Sequence, residues 1–209
     1  MLGADNLVVN SRSVSAQKPS ILLFDADKFR RSLLARELVA LGYPLVAELN
    51  TADYLLREIE THTPDIIVMG IDLPDDDILQ KVASLQQVQP HPVVMFAEQD
   101  TPQIIQKAIK AGVNAFVVDD IQPERINSII NVAIARFQSE QGLRQELAKT
   151  KNQLHERKLI DKAKGLLMKQ RDLDEDAAYQ LLRKKAMDKS ISMAAVAENV
   201  IDVMSLMND

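Results

Sequence analysis

The stretch IIVMGIDLPDDDILQKVASLQQVQPHPVVMFA, residues 66–97, decides the fold of the first half of the chain. It begins and ends with short apolar runs, at residues 66–69 and 93–97, which are typical of strands buried on both faces of a parallel sheet. Residues 72–77 indicate a polar loop, and residues 78–86 have the apolar spacing of a helix. A strand, a helix and a second strand in this order predict a unit of parallel strands.

The same alternation extends along the chain on both sides of this unit. Further apolar strands are predicted at residues 21–24, 45–49 and 115–118, and further helices at residues 29–41, 51–61 and 103–111. Five strands interleaved with helices predict an α/β fold with a doubly wound, five-stranded parallel sheet. We assign this domain to residues 19–136, after a leader at residues 1–18 that is rich in Ser, Asn and Gly and is expected to be disordered.

A long helix is predicted to follow the sheet domain. Pro123 suits its first turn, and only Gly142 and Gly165 interrupt the helical pattern before residue 171, so the helix spans about 45 residues. Three leucines on a heptad seam with charged flanks favour a parallel dimeric coiled coil at residues 137–158, although a lone helix folded back on the sheet is the alternative. The seam residues are Leu143, Leu147 and Leu154.

Residues 159–207 are predicted to form a small α domain of three helices. The long helix ends near residue 171, Asp174 is a good N-cap for a second helix, and Ser192 can cap a third. Apolar residues recur at helical spacing in the second and third helices, so each can bury one face.

The charge of the chain is divided unevenly. The 209 residues carry a formal net charge of −5. Residues 1–138 contain 12 Lys and Arg against 18 Asp and Glu, a net of −6, whereas residues 144–171 contain 9 against 3, a net of +6. An acidic first half followed by a basic helix is typical of a regulatory domain joined to a polyanion-binding one, although a long solvated helix also needs charge.

Composition disfavours several classes of function. The chain has no cysteine, and His62, His91 and His155 lack the spacing of metal ligands, so neither thiol nor metal catalysis is expected. No nucleophile paired with a base and no phosphate-binding loop is evident, so we expect neither an enzyme nor a cofactor. No apolar run approaches the about 20 residues that cross a bilayer, and we expect a cytoplasmic protein.

Residues 19–136 resemble the receiver domain of two-component response regulators. The resemblance rests on Asp25 after the first strand, Pro74 after the third strand, and AGVNAFVV at residues 111–118. A working receiver needs two acids that hold magnesium, an aspartate nucleophile, a hydroxyl and a lysine. These groups are required together because the metal and the lysine neutralise the phosphoryl oxygens that the nucleophile must approach.

Most of these positions are altered in this chain. The nucleophile position is Gly70, the hydroxyl position is Ala97 and the lysine position is Asp119. The second acid is missing, although Asp27 could substitute for it, and the sequence leaves open whether Asp25 and Asp27 bind a metal. We therefore expect a pseudo-receiver without a phosphoacceptor, used for protein contacts.

The C-terminal residues resemble the ANTAR domain, the RNA-binding output of transcription antiterminators. The run IDKAKGLLM at residues 160–168 carries this resemblance together with a set of residues in the next helix. That set comprises Ala178, Leu182, Arg183, Ala186 and Met187. Pseudo-receiver, coiled coil and ANTAR-like domain in this order resemble the AmiR/NasT family, and most of all its regulators of nitrate assimilation.

The family resemblance implies specific partners. It implies binding, as a homodimer, to tandem hairpins in a nascent leader mRNA, so that an overlapping terminator cannot form. It also implies control by a ligand-sensing repressor protein, NasS-like in kind, in place of phosphorylation, and a role in nitrate or nitrite assimilation. None of these partners follows from composition or spacing.

Hairpin loops are bound through phosphate contacts and through stacking on splayed bases, so basic residues near an aromatic one are the candidate contacts. For Tyr179, stacking on a base and packing in the three-helix core are both open. Gly165 lowers helix stability by about 1 kcal/mol relative to alanine, so another helix, or else RNA, is expected to approach closely there. The candidate RNA-binding residues are Lys164, Lys169, Arg171, Tyr179, Arg183, Lys184, Lys185 and Lys189.

Two other functions remain open on the sequence. A DNA-binding response regulator would insert a recognition helix into the major groove, but the last helix, at residues 193–207, exposes Glu198 and Asp202, which would repel phosphates. A protein–protein adaptor would instead bind an acidic protein surface through the basic helix.

Overall fold

The computed structural model describes residues 18–118 and 122–206, and it contains the predicted five-stranded parallel sheet. The strands are β1 (Ile21–Asp25), β2 (Leu45–Leu49), β3 (Ile66–Ile71), β4 (Val93–Ala97) and β5 (Ala115–Val118). Their order in the sheet is β2-β1-β3-β4-β5. The strands β1 and β4 are buried along their whole lengths and β3 over nearly all of its length, which explains their continuous apolar sequences.

Helices cover both faces of the sheet, as a doubly wound fold requires. They are α1 (Lys28–Ala40), α2 (Leu55–His62), α3 (Asp76–Val88), α4 (Pro102–Ala111) and α5 (Pro123–Arg171). The helix α1 and the first part of α5 pack on one face through residues such as Leu38 and Ile130. The helices α2, α3 and α4 pack on the other face through residues such as Ile59, Val82 and Ala108. The predicted fold class is confirmed.

Local capping decides where α3 begins. The helix starts at Asp76, two residues before the predicted start, because the carboxylate of Asp75 accepts a hydrogen bond from the backbone N–H of Ile78 at 2.9 Å. The helix predicted at residues 51–61 likewise begins differently, as a 3₁₀ turn at Ala52–Tyr54 that leads into α2.

Lys18 corrects the predicted extent of the leader. Its Nζ atom donates to Oδ1 of Asn127 at 3.2 Å and lies 4.4 Å from the centre of the Tyr43 ring. The hydroxyl of Tyr43 donates to the same Asn127 oxygen at 2.6 Å. Lys18 therefore belongs to the folded domain, and the rest of the predicted leader, residues 1–17, lies outside the described residues.

The chain separates into two compact units, residues 1–139 and residues 140–209. Residues 140–171 of α5 belong to the second unit, together with α6 (Glu175–Lys189) and α7 (Met193–Leu206). Asp174 caps α6 by accepting from the N–H of Ala177 at 2.6 Å, and Ser192 caps α7 by accepting from the N–H of Ala195 at 3.1 Å. Both caps agree with the sequence, whereas the predicted last residue of α7, Met207, lies outside the described residues.

One apolar core joins the three helices of the second unit. Ala163 and Leu167 of α5 meet Leu182 of α6 and Ala197 of α7. Gly165 does not take part in this packing, because a methyl group added there would meet no described atom within 4 Å. The expectation that another helix packs at Gly165 is therefore wrong for the single chain.

The helix α5 is 49 residues long, and its middle exposes the predicted seam. Leu143, Leu147 and Leu154 are each more than half exposed in the single chain. Unpartnered leucines at heptad spacing on a long helix are consistent with a coiled coil. Neither α5 nor any other described helix is long and apolar enough to cross a membrane.

Candidate functional site

At the carboxyl edge of the sheet, the side chain of Arg30 lies against Asp25. Asp25 is fully buried at the end of β1, and Arg30 lies in the first turn of α1. Nε of Arg30 donates to Oδ2 of Asp25 at 2.7 Å, and Nη2 donates to Oδ1 at 2.9 Å. One planar guanidinium therefore engages both carboxylate oxygens as a bidentate pair.

The same guanidinium joins the ends of two other strands. Nη1 of Arg30 donates to Asp72, directly after β3, at 2.6 Å and to Glu98, directly after β4, at 2.5 Å. Burial opposes the charge of Arg30, but hydrogen bonds to Asp25 and Asp72 outweigh this effect and raise its pKa. Burial also raises the pKa of Asp25, and the hydrogen bond from Arg30 opposes that rise. Arg30 thus acts as an internal cation among the ends of three strands.

Gly70 provides the space for this ion pair. Gly70 is the neighbour of Asp25 in the sheet. A methyl group added at Gly70 would come within 2.0 Å of Oδ2 of Asp25 and 3.1 Å of Nε of Arg30. Any side chain at this position would therefore have to displace the buried pair.

The residues at this edge do not fit the magnesium ion and phosphoryl group of a working receiver. Arg30 engages the oxygens of Asp25, and Oδ1 of Asp27 caps α1 by accepting from the backbone N–H of Arg30 at 2.7 Å. Ala97 offers no hydroxyl, and Asp119, at the lysine position, lies outside the described residues. Among the described residues, no group of three or more acidic, histidine or cysteine side chains is arranged to hold a metal ion.

The three consecutive aspartates at the start of α3 have structural partners. Asp75 is the N-cap, Asp76 accepts a hydrogen bond from Lys107 at 2.7 Å, and Asp77 pairs with Lys81 at 2.9 Å. These contacts account for the acidic run without a calcium ion, whose loops need ligands at alternate positions.

The second unit contains a cavity of about 290 Å³ between the end of α5, α6 and α7. Three of the predicted RNA-binding residues line this cavity, namely Arg171, Lys185 and Lys189. Lys185 and Lys189 are one turn apart on α6, so they lie on the same side of that helix. The other lining residues are largely apolar. They include Leu167, Leu181, Leu182, Val196, Val200 and Met204.

A second depression adjoins this cavity. Arg171 and Leu181 line both, and Lys184 lines the second. We call the surface formed by Arg171, Lys184, Lys185 and Lys189 the basic surface. No acidic side chain is among the described residues that line either depression. The basic surface therefore suits a polyanion with apolar or aromatic groups.

Lys164, another predicted RNA-binding residue, has partners within the second unit. Its Nζ atom donates to Glu175 at 2.7 Å and pairs with Asp161 at 2.9 Å. The hydrogen bond to Glu175 is the main cause of the raised pKa of Lys164. Lys164 thus ties α5 to the first turn of α6, and its role toward RNA stays a prediction.

The remaining predicted residues lie away from both depressions. Tyr179 is 40% exposed and is not one of the buried residues of the second unit's core. Arg183 is one helical turn after Tyr179 and about 160° around α6 from Lys185. Lys169 is exposed near the end of α5. The structure brings four of the eight predicted residues together on the basic surface and places Lys164, Lys169, Tyr179 and Arg183 outside it.

Comparison with known proteins identifies both parts of the chain. Residues 21–131, more than half of the chain, match the response regulator receiver domain. The chain belongs to this family. Residues 148–201 match the ANTAR domain, so the protein is an ANTAR response regulator, and the family resemblance of both domains is confirmed.

The ANTAR response regulator has relatives along nearly its whole length. It is 26% identical over 189 residues to the transcriptional regulatory protein PdtaR of Mycobacterium tuberculosis (strain H37Rv), and the match covers 90% of this chain and 92% of PdtaR. A nitrate regulatory protein of Klebsiella oxytoca is 46% identical over 66 residues, which are 32% of this chain and 17% of that protein.

Solved structures show the fold of its first domain. The signal receiver domain of a modulated diguanylate cyclase from Desulfovibrio desulfuricans G20 has a TM-score of 0.53 at 18% identity, covering 59% of this chain and 98% of that one. Receiver and ANTAR domains are regulatory domains and do not form enzyme families.

Sequence reasoning misses the contribution of α7 to the basic surface of this ANTAR response regulator. Asn199 and Val203 line the cavity, although the exposed Glu198 and Asp202 of the same helix argue against contact with nucleic acid. At 100° per residue, Glu198 falls on the opposite side of α7 from the cavity, and Asp202 falls on the flank and does not line the cavity. The cavity-lining residues recur three and four positions apart along α7, and this spacing is the signal that could have found them.

Replacing Gly70 by alanine is expected to destabilise the receiver domain by about 1–3 kcal/mol, because the new methyl group overlaps the buried carboxylate of Asp25. The free energy of unfolding in urea measures the effect. Gly165→Ala is the matched control, since its methyl group enters open space and removes a helix-weakening glycine, and it is expected to stabilise by up to about 1 kcal/mol. The same response in both variants would contradict the packing described for Gly70.

Proposed function

We propose that this ANTAR response regulator is a transcription antitermination factor that binds tandem hairpins in a nascent leader mRNA and prevents terminator formation. The basic surface carries the proposal, because four cations adjoin an apolar cavity that no described acidic side chain lines. RNA hairpin loops present phosphates together with unpaired bases, and these two features complement such a surface. The ANTAR match supports RNA as the ligand.

In this proposal the receiver domain responds to a protein instead of to phosphorylation. Arg30 closes the edge at which a phosphoryl group would be placed, and Gly70 supplies no nucleophile. Control would come from a ligand-sensing repressor that binds the regulator, NasS-like in kind. The similarity to the nitrate regulatory protein of Klebsiella oxytoca supports nitrate or nitrite assimilation as the controlled process.

The test is binding of the full chain to a tandem-hairpin RNA and to a duplex DNA of equal charge, over a series of salt concentrations. We expect tighter binding to the RNA, with an affinity that falls as salt rises because phosphate contacts release counterions. Tighter binding to the duplex would favour a DNA-binding response regulator. Binding to neither nucleic acid would favour a protein–protein adaptor and would overturn the proposal.

The exposed seam of α5 supports a dimer that presents two basic surfaces to two hairpins. Replacing Leu143, Leu147 and Leu154 by alanine is expected to yield a monomer, because the seam loses the apolar area that holds the helices together. Its affinity for a tandem-hairpin RNA should fall to that for a single hairpin, since linked binding is lost. Sedimentation equilibrium and RNA titration measure the two effects.

A substitution at Thr150 is expected to strengthen the dimer and serves as the control for the triple alanine variant. Thr150 occupies the seam position between Leu147 and Leu154, so Thr150→Leu should strengthen self-association by completing the apolar seam. A parent chain that stays monomeric at micromolar concentration, with Thr150→Leu unchanged, would exclude the coiled-coil dimer.

A further inference from the structure

The cavity beside the basic surface has the composition of a binding pocket. It measures about 290 Å³, and aliphatic side chains of α5, α6 and α7, such as Leu167, Leu182 and Val200, line it. Val203, which is 57% exposed, also lines it. Sites that hold small flat groups are mostly apolar and carry a few polar groups that fix the orientation of the ligand.

The polar groups around this cavity suit an anionic ligand that also has a hydrogen-bonding edge. Arg171, Lys185 and Lys189 supply the positive charge, and Asn199 supplies an amide. A side-chain amide offers both donors and an acceptor, as does the edge of a nucleobase. We infer that the cavity receives one unpaired nucleobase of an RNA loop while the three cations hold its flanking phosphates. This inference rests on the proposed RNA-binding function and assigns the site that recognises the loop.

The acidic residues of α6 and α7 leave the cavity accessible to phosphate. Glu198 falls on the far side of α7 at 100° per residue, and Asp202, one turn after Asn199, does not line the cavity. Asp188 of α6 lies next to Lys189 in sequence but does not line the cavity. Because every charged group among its described lining residues is positive, a nucleotide phosphate meets attraction on each side.

The adjoining depression provides a place for the next nucleotide of the RNA strand. Arg171 and Leu181 line both depressions, and Lys184 lies on the far side of this boundary. A strand whose base enters the cavity can cross Arg171 and place its next phosphate at Lys184. Guanidinium groups also stack on nucleobases, so Arg171 suits this central position.

The experiment uses the full chain and RNA hairpins selected from a pool with randomised loops. Each loop nucleotide of the best binder is replaced in turn by an abasic residue, which keeps the phosphate and removes the base. One abasic position is expected to weaken binding on the order of 10-fold, as for the loss of a single stacked base. Substitution at the other positions should have smaller effects.

Substitutions of two residues that line the cavity test whether this base binds there. Val203→Trp fills the cavity from its edge, and Asn199→Ala removes the amide. Both should weaken binding to the intact hairpin and should bring the ratio between intact and abasic affinities close to one. Val39→Trp is the matched control, because Val39 is 58% exposed on α1 of the receiver domain. It should preserve the ratio.

The outcomes separate this inference from the proposed function. Hairpin binding with no sensitive loop position, or with a ratio that Val203→Trp and Asn199→Ala leave unchanged, would overturn the nucleobase pocket and leave RNA binding intact. No binding to any hairpin in the pool would overturn the proposed function and the pocket with it. Circular dichroism of each variant distinguishes loss of binding from loss of fold.

Discussion

Replacing Arg171, Lys185 and Lys189 together by alanine is expected to lower the affinity for a tandem-hairpin RNA on the order of 1,000-fold, about tenfold for each cation. These three side chains surround one cavity, so their loss removes the positive charge of that site altogether. The slope of log affinity against log salt should also fall by about three, because each phosphate contact contributes roughly one to that slope. Electrophoretic mobility shifts over a salt series measure both effects.

A charge-matched variant controls for the change in net charge. Lys28, Arg57 and Lys110 are exposed in the receiver domain, and their replacement by alanine removes three positive charges that are not part of the basic surface. This control should change affinity by less than about threefold, because exposed charges that do not line the binding site are screened by salt and contribute little. Equal losses in the two triple variants would show that binding depends on net charge and would contradict a localised site.

Removal of Lys169 and Arg183 tests the predicted residues outside the basic surface.

The fold follows from the sequence because its determinants are local and repeated. Continuous apolar runs such as residues 66–69 and 93–97 have few places to lie other than the interior of a parallel sheet. The helix ends are less certain because single capping contacts decide them. Asp75 shows this, since the bond from Ile78 to its carboxylate places Asp76 inside α3.

The candidate site is harder to predict because it depends on contacts between helices. Basic residues are visible in the sequence, but the partners of Lys164 are not, because Glu175 lies eleven positions away on another helix. The cavity joins residues of three helices, and Asn199 contributes to it from a helix whose exposed acids argue against nucleic acid. Spacing identifies which face of a helix is apolar, but only packing shows which charges border that face.

The role of Arg30 cannot be found from the sequence for a related reason. An arginine five residues after Asp25 is an ordinary helix residue in sequence, and only the fold brings it to the ends of three strands. The sequence shows Gly70 only as a missing nucleophile, whereas its second effect, the space that it leaves for the ion pair, requires the distance to Asp25. The glycine at residue 70 and the internal cation beside Asp25 are thus parts of one arrangement.

Replacing Arg30 by methionine is expected to lower the free energy of unfolding of the receiver domain by about 3–5 kcal/mol at pH 7, because Asp25 stays buried without its cation. The loss should shrink as the pH falls. Burial raises the pKa of Asp25, and removal of Arg30 takes away the hydrogen bonds that oppose this rise. A group whose pKa is higher in the folded state stabilises that state most at low pH, where it is protonated, and less as the pH rises through the folded pKa.

Urea unfolding of this variant between pH 4 and pH 8 measures the effect, and two further variants test its cause. Arg36→Met makes the same substitution on α1 at an exposed site and should change stability by less than about 0.5 kcal/mol at every pH. Asp25→Asn combined with Arg30→Met removes the buried charge together with its partner. It should therefore recover part of the lost stability at pH 7 and abolish the additional pH dependence of the single variant. If Arg30→Met is as stable as the parent chain at pH 7, or if its deficit grows as the pH falls, Arg30 is not the cation that compensates Asp25.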